Sequence, residues 1–311
     1  MKLQQLRYVV EIVRQGNHLS AAADALHTSQ PGVSRQIQLL ESELGVEIFQ
    51  RTRNRIIGLT EPGEQVLAIA KRVTADLAAL KSLKMDLESV DSGRLVIATT
   101  HTQARYVLPK IIARFMKLYP AVELELKQGD PESICQMVDD GLADCAVGPE
   151  TLTAYPQLLK IHCSEIQRIV VGLEGHPIFK EKELSYRTLA RHPLIAYDSR
   201  YSGHWKVMEA FRRAGYEPRV SFSAIDADVS KTYAAMGLGL AILTDVAFDP
   251  EIDAGLAARD ASSLFPPSST TLTLRPTTYI RPFILDFLSS LSETLTVNGL
   301  KDAIRRAATK D

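Results

Sequence analysis

Apolar residues at the start of the chain recur with the spacing of an α-helix. This pattern predicts an amphipathic helix over residues 3–15. A short alanine-rich helix then runs to Leu26, with Ser20 as its N-cap. A third helix begins after Ser29, ends at Gly45 and carries an apolar stripe along one face. The apolar positions of the first and third helices are Leu6, Val9, Val10, Val13, Val33, Ile37, Leu40 and Leu44.

The second and third helices are close enough in sequence to form a helix-turn-helix. The polar face of the third helix holds Gln30, Ser34 and Arg35, residue types that bind base edges and phosphates. Residues 46–60 then predict a strand, a basic turn and a strand, which would place Arg51, Arg53 and Arg55 against phosphates or in the minor groove. The alternative is a three-helix packing module with a solvated polar face.

A single long helix is predicted over residues 60–91, with Thr60 as its N-cap and Pro62 in its first turn. Its length favours pairing with a second copy of the chain, and packing within the chain is the alternative. Two copies would suit DNA recognition, because each half-site of a two-fold symmetric DNA site is bound by one helix-turn-helix. The apolar seam of this helix comprises Val66, Ala70, Val73, Leu77, Leu80, Leu83 and Leu87.

Strand and helix patterns alternate from Gly93 onward, which predicts two α/β units built on mostly parallel sheets. In such sheets a ligand binds beyond the carboxyl ends of the strands. The stretch "TTHTQ" occupies that place after the first predicted strand, and "GPE" occupies it after the strand "CAV".

The "TTHTQ" stretch offers hydroxyl and amide groups at the start of a predicted helix. Thr100, Thr102 and Gln103, together with helix N–H groups, suit an anion such as sulfate or a carboxylate. We expect these donors to bind the anion without a formal countercharge. The alternative for Thr102 is a plain helix N-cap.

Charge is distributed unevenly along a nearly neutral chain. The formal net charge is −1, so the chain as a whole does not indicate nucleic-acid binding. Residues 1–58 nevertheless hold seven Lys or Arg against five Asp or Glu, which makes the N-terminal part weakly basic.

Several classes of function lack support in the sequence. The three cysteines show no Cys-x-x-Cys spacing, and the seven histidines show no metal-ligand spacing, so we expect no metal and no cofactor. No nucleophile elbow or phosphate loop is present, and the glycines of "GLGLAI" follow a helix, as in a C-cap. No signal peptide or apolar membrane span is predicted, so we expect a cytoplasmic protein.

The segment from residue 19 to 64 resembles the DNA-binding segment of LysR-type transcriptional regulators. The elements Ser-Gln-Pro, Ser-Arg-Gln-Ile, Leu-Glu-x-x-Leu-Gly, Phe-x-Arg and Leu-Thr-x-x-Gly occur in order. The resemblance implies a dimer or tetramer that binds promoter double-stranded DNA and responds to a small effector, with RNA polymerase as a further partner. The DNA-facing positions that it implies are Ser29, Gln30, Pro31, Ser34, Arg35, Arg51 and Arg53.

The same resemblance implies the fold and its division. We expect a winged helix-turn-helix in residues 1–59 and a linker helix in residues 60–91. An effector domain similar to periplasmic solute-binding proteins follows. Its first subdomain would comprise residues 92–162 with 268–311, and its second residues 163–267.

Within that family, "LQQLRY", "TTHTQARY", "DADVSKTY" and "GLGLAIL" resemble the CysB and Cbl branch, which regulates sulfur assimilation. The resemblance implies acetylserine as an effector and a pocket that also accepts sulfate, and a sulfate-derived nucleotide such as adenosine phosphosulfate is a further candidate. Two positions depart from its pocket, Ile166 in place of tryptophan and Pro149 in place of threonine, and both make the site poorer in donors. The effector-binding positions that the resemblance implies are Thr100, Thr102, Gln103, Glu150 and Ser202. We expect Glu150 to receive an ammonium or N–H group of the same ligand and to repel a purely anionic one.

Three alternatives compete with a regulator of sulfur assimilation. A solute-binding protein would carry an export signal and no helix-turn-helix. An α/β enzyme would carry a catalytic set. A LysR-type regulator of another pathway that senses a different small anion would keep the same architecture.

Overall fold

The structure is a computed structural model that describes residues 1–53, 55–88, 91–151, 153–276 and 279–308. The chain divides into two compact units, Met1–Ser89 and Val90–Asp311. Within the described ranges, we find no helix with the length and apolarity needed to cross a membrane.

The N-terminal unit contains three short helices, a hairpin and one long helix. The two hairpin strands pair antiparallel and form the wing. The elements are α1 (Leu3–Arg14), α2 (Leu19–Ala25), α3 (Gln30–Leu44), β1 (Phe49–Thr52), β2 (Arg55–Leu59) and α4 (Glu61–Glu88).

The core of this unit lies where α1, α2 and α3 meet. Val33 and Ile37 of α3 are fully buried, as the apolar stripe predicts. Two expectations are wrong in detail. Leu44 is 41% exposed, because it lies at the last turn beyond the contact with the other helices. α2 begins at Leu19 after His18, so Ser20 lies inside the helix and is not its N-cap.

Helix α4 begins in close contact with the preceding wing. The Gly63 N–H donates to Thr60 Oγ1 at 2.9 Å, so Thr60 caps the helix as predicted. A Cβ at Gly63 would lie 2.0 Å from the Ile48 carbonyl oxygen, so only glycine permits this approach.

The predicted seam of α4 has two different environments. Ala70 is buried in the core of the N-terminal unit, and Val66 and Val73 pack against that core. Further along the helix, Leu80 is 63% exposed. Packing within the chain therefore accounts for the first turns of the seam. The side chains of Leu83 and Leu87 lie outside the described part of the structure.

The C-terminal unit contains two five-stranded sheets, in the orders β4-β3-β5-β12-β6 and β11-β7-β10-β8-β9. The strands of the first sheet are β3 (Ser92–Thr99), β4 (Ala121–Gln128), β5 (Cys145–Gly148), β6 (Leu159–Ile166) and β12 (Ser268–Leu274). Those of the second are β7 (Arg168–Leu173), β8 (Leu194–Tyr197), β9 (Val220–Ala224), β10 (Leu240–Thr244) and β11 (Leu256–Asp260).

In each sheet four strands run in the same direction and one runs opposite to them, β12 in the first sheet and β7 in the second, so the prediction of mostly parallel sheets is confirmed. The helices are α5 (Leu108–Leu118), α6 (Pro131–Asp139), α7 (Tyr186–Leu189), α8 (Ser202–Arg213), α9 (Ala227–Ala235), α10 (Pro282–Ser289) and α11 (Val297–Ala308).

The chain passes twice between the sheets. It crosses at Gln167, between β6 and β7, and returns between β11 and β12. The boundary expected after residue 162 falls inside β6, because that strand continues to Ile166 in the first sheet. We call residues 91–166 with 268–308 the first lobe and residues 168–261 the second lobe.

Candidate functional site

The N-terminal end of α3 forms an exposed polar surface. Ser29 caps this helix by accepting from the Gly32 N–H at 3.3 Å, as predicted. Gln30, Pro31 and Arg35 are exposed and Ser34 is half-buried. The buried stripe of α3 thus fixes the helix while its first turns remain open to solvent.

The wing carries one arginine with an internal partner. The Arg51 guanidinium donates to Glu41 Oε2 at 2.8 Å. Glu41 Oε1 also accepts from the Ile48 and Phe49 N–H groups, at 2.9 and 3.2 Å. Arg51 therefore helps to hold the wing on α3. Arg53 is exposed at the hairpin turn with a left-handed φ of 55°.

In the C-terminal unit, a cavity of about 40 Å³ lies between the lobes, where the carboxyl ends of β3, β5, β8 and β10 meet. This is the position at which open α/β sheets bind ligands. The lining residues are Thr100, Thr102, Gln103, Pro149, Ile166, Arg168, Tyr197, Tyr201, Gly203, Thr244 and Ser268.

Three of the predicted effector-binding residues, Thr100, Thr102 and Gln103, meet in this cavity. Thr102 has helical dihedral angles and caps no backbone group, so the alternative of a plain N-cap is wrong. A π-helical turn over Gln103–Val107 follows, in which the Leu108 N–H bonds to the Gln103 carbonyl. Such turns are frequent at functional sites, and this one follows directly after the polar stretch.

Gln103 is 4% exposed and half satisfied. Its Nε2 donates to Thr270 Oγ1 at 3.1 Å, while its Oε1 has no partner among the described residues. Thr244 Oγ1, at the end of β10, is also buried without a partner. Buried polar atoms are almost always hydrogen-bonded, so these two atoms leave unused hydrogen-bonding capacity at the cavity.

The main feature that the sequence did not predict is Arg168. This first residue of β7 is 1% exposed, and its Nε and Nη2 atoms have no hydrogen-bond partner within the described residues. A Cβ at Gly203 would lie 2.9 Å from Nη2, so the glycine makes room for the guanidinium. The expectation of an anion site without a formal countercharge is therefore wrong.

The charge of Arg168 persists despite its burial. Burial lowers the pKa of the guanidinium, but arginine remains protonated in proteins. Burial also raises the pKa of Tyr197 to about 12, even though the neighbouring Arg168 charge and the Thr102 hydroxyl act in the opposite direction. Tyr197 therefore keeps its proton at neutral pH.

Two predicted residues lie beside the cavity and not in its lining. Glu150 is exposed, and Lys206 Nζ of α8 contacts its Oε2 at 3.0 Å. Burial acts to raise the pKa of Glu150, but Lys206 and Ser269 hold it below its ordinary value. Lys206 thus occupies the place expected for a ligand ammonium. Ser202 is buried and is the first residue of α8, next to the lining residue Gly203.

A second set of contacts joins the lobes at Asp228 of α9. Its Oδ2 contacts His101 Nε2 at 2.8 Å and Arg105 Nε at 3.3 Å. Its Oδ1 accepts from the Tyr106 hydroxyl at 2.6 Å and lies 3.5 Å from Lys231 Nζ. We call these five residues the Asp228 network. It connects the stretch after β3 directly to the second lobe.

His101, Asp226 and Asp228 also have potential metal-ligating atoms within 4.8 Å of one another. Both carboxylate oxygens of Asp228 already contact protein donors, and two of its neighbours are cationic side chains. The observed contacts therefore fit an ionic network between the lobes better than a metal centre.

Family models match nearly the whole chain. The model described as "Bacterial regulatory helix-turn-helix protein, lysR family" matches residues 3–64, and the model "LysR substrate binding domain" matches residues 88–296. This chain belongs to the LysR family. The members of this family are DNA-binding transcriptional regulators with a domain for a small-molecule effector.

Individual LysR relatives are similar over the full length. The transcriptional regulators SsuR and CysB of Burkholderia cenocepacia are each 41% identical, with 99% of this chain matched and 100% and 98% of theirs. The crystal structure of the cofactor-binding domain of the Cbl regulator is 34% identical, with a TM-score of 0.66. It covers 68% of this chain and 93% of that domain. These relatives confirm the CysB and Cbl branch, which the sequence analysis associates with sulfur assimilation.

The Asp228 network makes a testable contribution to stability. Asp228→Asn removes the charge that His101, Arg105 and Lys231 share, so we expect unfolding to become easier by about 1 to 2 kcal/mol at neutral pH. Thermal denaturation checks this, with the exposed Glu217→Gln as the charge-matched control, for which we expect little change.

The stabilisation that Asp228 contributes to the fold depends on pH. Burial would raise the pKa of Asp228, but Tyr106, His101, Lys231 and Arg105 hold it below the ordinary 3.8. The stabilisation is therefore present above 3.8 and is lost as the pH falls through the lower folded-state pKa. The difference in the free energy of unfolding between wild type and Asp228→Asn should therefore become smaller as the pH falls over that range. A constant difference, or none at neutral pH, would contradict this account.

Proposed function

We propose that this LysR-type regulator of sulfur assimilation senses a small oxyanion, held between the lobes, and transmits its presence to promoter DNA. The chain would act by binding and not by catalysis. The observation that supports this is the cavity itself, in which a buried cation and unpaired polar atoms face one small space.

The size and charge of the cavity favour sulfate among the effectors considered. About 40 Å³ is room for roughly three water-sized groups, which suits a tetrahedral anion. Adenosine phosphosulfate would require the lobes to open. Acetylserine would bring an ammonium group, and the carboxylate expected to receive it, Glu150, already contacts Lys206.

We assign ligand contacts to Thr100, Thr102 and Gln103, with Arg168 as the cationic partner. Ser202 and Glu150 would act from beside the cavity, Ser202 through the start of α8 and Glu150 through its ion pair. The alternative is a LysR-type regulator of another pathway. Such a regulator would bind a different small anion of similar size more tightly than sulfate.

For DNA binding we assign the exposed start of α3 and the wing. Gln30, Ser34 and Arg35 would contact base edges. Contacts with the sugar-phosphate backbone of the DNA, which position the protein, would come from Ser29, Pro31, Arg51 and Arg53. A pseudo-palindromic DNA site would be bound by two copies of this helix-turn-helix, one on each half-site. Exposed Ile69 and Leu80 on α4 support pairing of this helix between copies, as a dimer or within a tetramer. Contact with RNA polymerase stays a prediction.

The ligand assignment can be tested at the two threonines. Thr100→Val and Thr102→Val each remove a hydroxyl that donates to a charged ligand, so each should weaken sulfate binding by roughly tenfold to a hundredfold. Calorimetric titration of the purified chain measures this. Thr232→Val, at an exposed position of α9, is the control and should bind like wild type. Unchanged affinity in both cavity variants would refute the assignment.

The DNA assignment can be tested at Arg35. Arg35→Ala should weaken promoter binding by about 1 to 3 kcal/mol while leaving the melting temperature unchanged, because the side chain is exposed. Fluorescence anisotropy with a promoter duplex at several salt concentrations measures affinity and its salt dependence. Arg14→Ala, at the end of α1, controls for the lost charge. Wild-type affinity in Arg35→Ala would count against α3 as the reading helix.

A further inference from the structure

Arg168 is a buried cation that has no acidic partner among the residues that the structure describes. Buried arginines are usually paired with carboxylates, because removal from water penalises an unpaired charge heavily. None of the ion pairs among the described residues includes Arg168, and its Nε and Nη2 are unpaired. A residue in this state is incomplete without an anion.

The surroundings of Arg168 leave that positive charge uncancelled. Of the described residues that line the cavity, Arg168 alone is charged. Glu150, the carboxylate predicted for this site, lies beside the cavity and is paired with Lys206 Nζ at 3.0 Å. Gly203 also lines the cavity at the start of α8, where helix N–H groups lack intrahelical partners and the helix dipole is positive.

Hydrogen-bonding groups reach the cavity from several sides. Thr100 and Gln103 belong to the first lobe, and Arg168 and Thr244 to the second. The Gln103 amide can turn by half a rotation, because the Thr270 hydroxyl can donate to its Oε1 as well as accept from its Nε2. The turn would direct the amide donor into the cavity. A ligand with oxygens on all sides therefore fits best.

We propose that Arg168 is the specificity-determining residue of the effector site, which makes the site select a divalent oxyanion over monovalent and neutral groups of the same shape. This inference rests on the proposed function, in which the cavity is the effector site. Replacing a ligand oxygen by methyl lowers the ligand charge and leaves a buried donor unpaired, so affinity should fall at each replacement.

A series of tetrahedral sulfur compounds tests the proposal. Sulfate, methanesulfonate and dimethyl sulfone have similar shapes and are dianionic, monoanionic and neutral. Calorimetric titrations of the full chain, at ionic strength fixed with chloride, should give affinities that fall in this order. We expect roughly 30-fold or more between the first and the last.

Variants at the same position separate charge from shape. Arg168→Met should reduce sulfate affinity by roughly 30-fold or more and should remove most of the discrimination within the series. Arg168→Lys should retain part of both, because it keeps the charge but not the planar fork of donors.

The ligand-free melting temperature distinguishes ligand selection from a structural role. An arginine that stabilises the fold would lower this temperature when replaced. Because Arg168 is buried and unpaired, Arg168→Met should leave the ligand-free melting temperature unchanged or raise it. It should also reduce the rise in melting temperature that a given sulfate concentration produces in wild type.

The outcomes are separable. Equal sulfate affinity in wild type and Arg168→Met would overturn this inference and leave the effector site standing. Equal affinities of wild type for all three compounds would overturn it even if Arg168→Met failed to fold. Failure of wild type to bind any of the three would overturn the proposed function together with this inference.

Discussion

The cavity of the C-terminal unit depends on a buried guanidinium, that of Arg168, whose Nε and Nη2 have no hydrogen-bond partner among the described residues. Arg168 opens β7 at the point where the chain crosses from one sheet to the other. Gly203 admits it by lacking a side chain, and the hydroxyls and amide after β3 face it from the other lobe. An anion bound here would neutralise a buried charge and join the two lobes with the same set of contacts.

The Asp228 network lies next to this cavity in the chain and connects the two lobes. His101 lies between Thr100 and Thr102 in the chain and contacts Asp228 of the second lobe at 2.8 Å. Any shift of the threonines toward a ligand therefore acts on a contact between the lobes. The "TTHTQARY" and "DADVSKTY" stretches, which are far apart in the sequence, meet at this network, so one stretch serves both the cavity and the junction.

The sequence predicted the features that depend on local pattern. The helix-turn-helix, the wing, the Ser29 and Thr60 caps and the strand that ends at the polar stretch all follow from periodicity and capping chemistry. The features that depend on tertiary contact were not predicted. Thr102 resembled an N-cap until the helix start was known, and three of the seven predicted seam residues of α4 pack inside its own unit.

Arg168 shows why the remainder of the site was missed. A single arginine before the apolar run of β7 is a visible signal, but nothing in the sequence says whether it is solvated, paired or buried alone. Glu150 shows the converse, because its sequence position suited a ligand contact while Lys206, more than fifty residues away, already contacts it. The fold decides which charged side chains are paired. It leaves Arg168 without a carboxylate among the described residues and pairs Glu150 with Lys206.

Anomalous diffraction from crystals of the full chain grown with selenate, a heavier analogue of sulfate, tests the anion site most directly. We expect a selenium peak in the cavity, within hydrogen-bonding distance of Arg168 in the second lobe and of Thr100 or Thr102 in the first. A cavity without selenium, or selenium only at surface positions of the chain, would contradict this expectation.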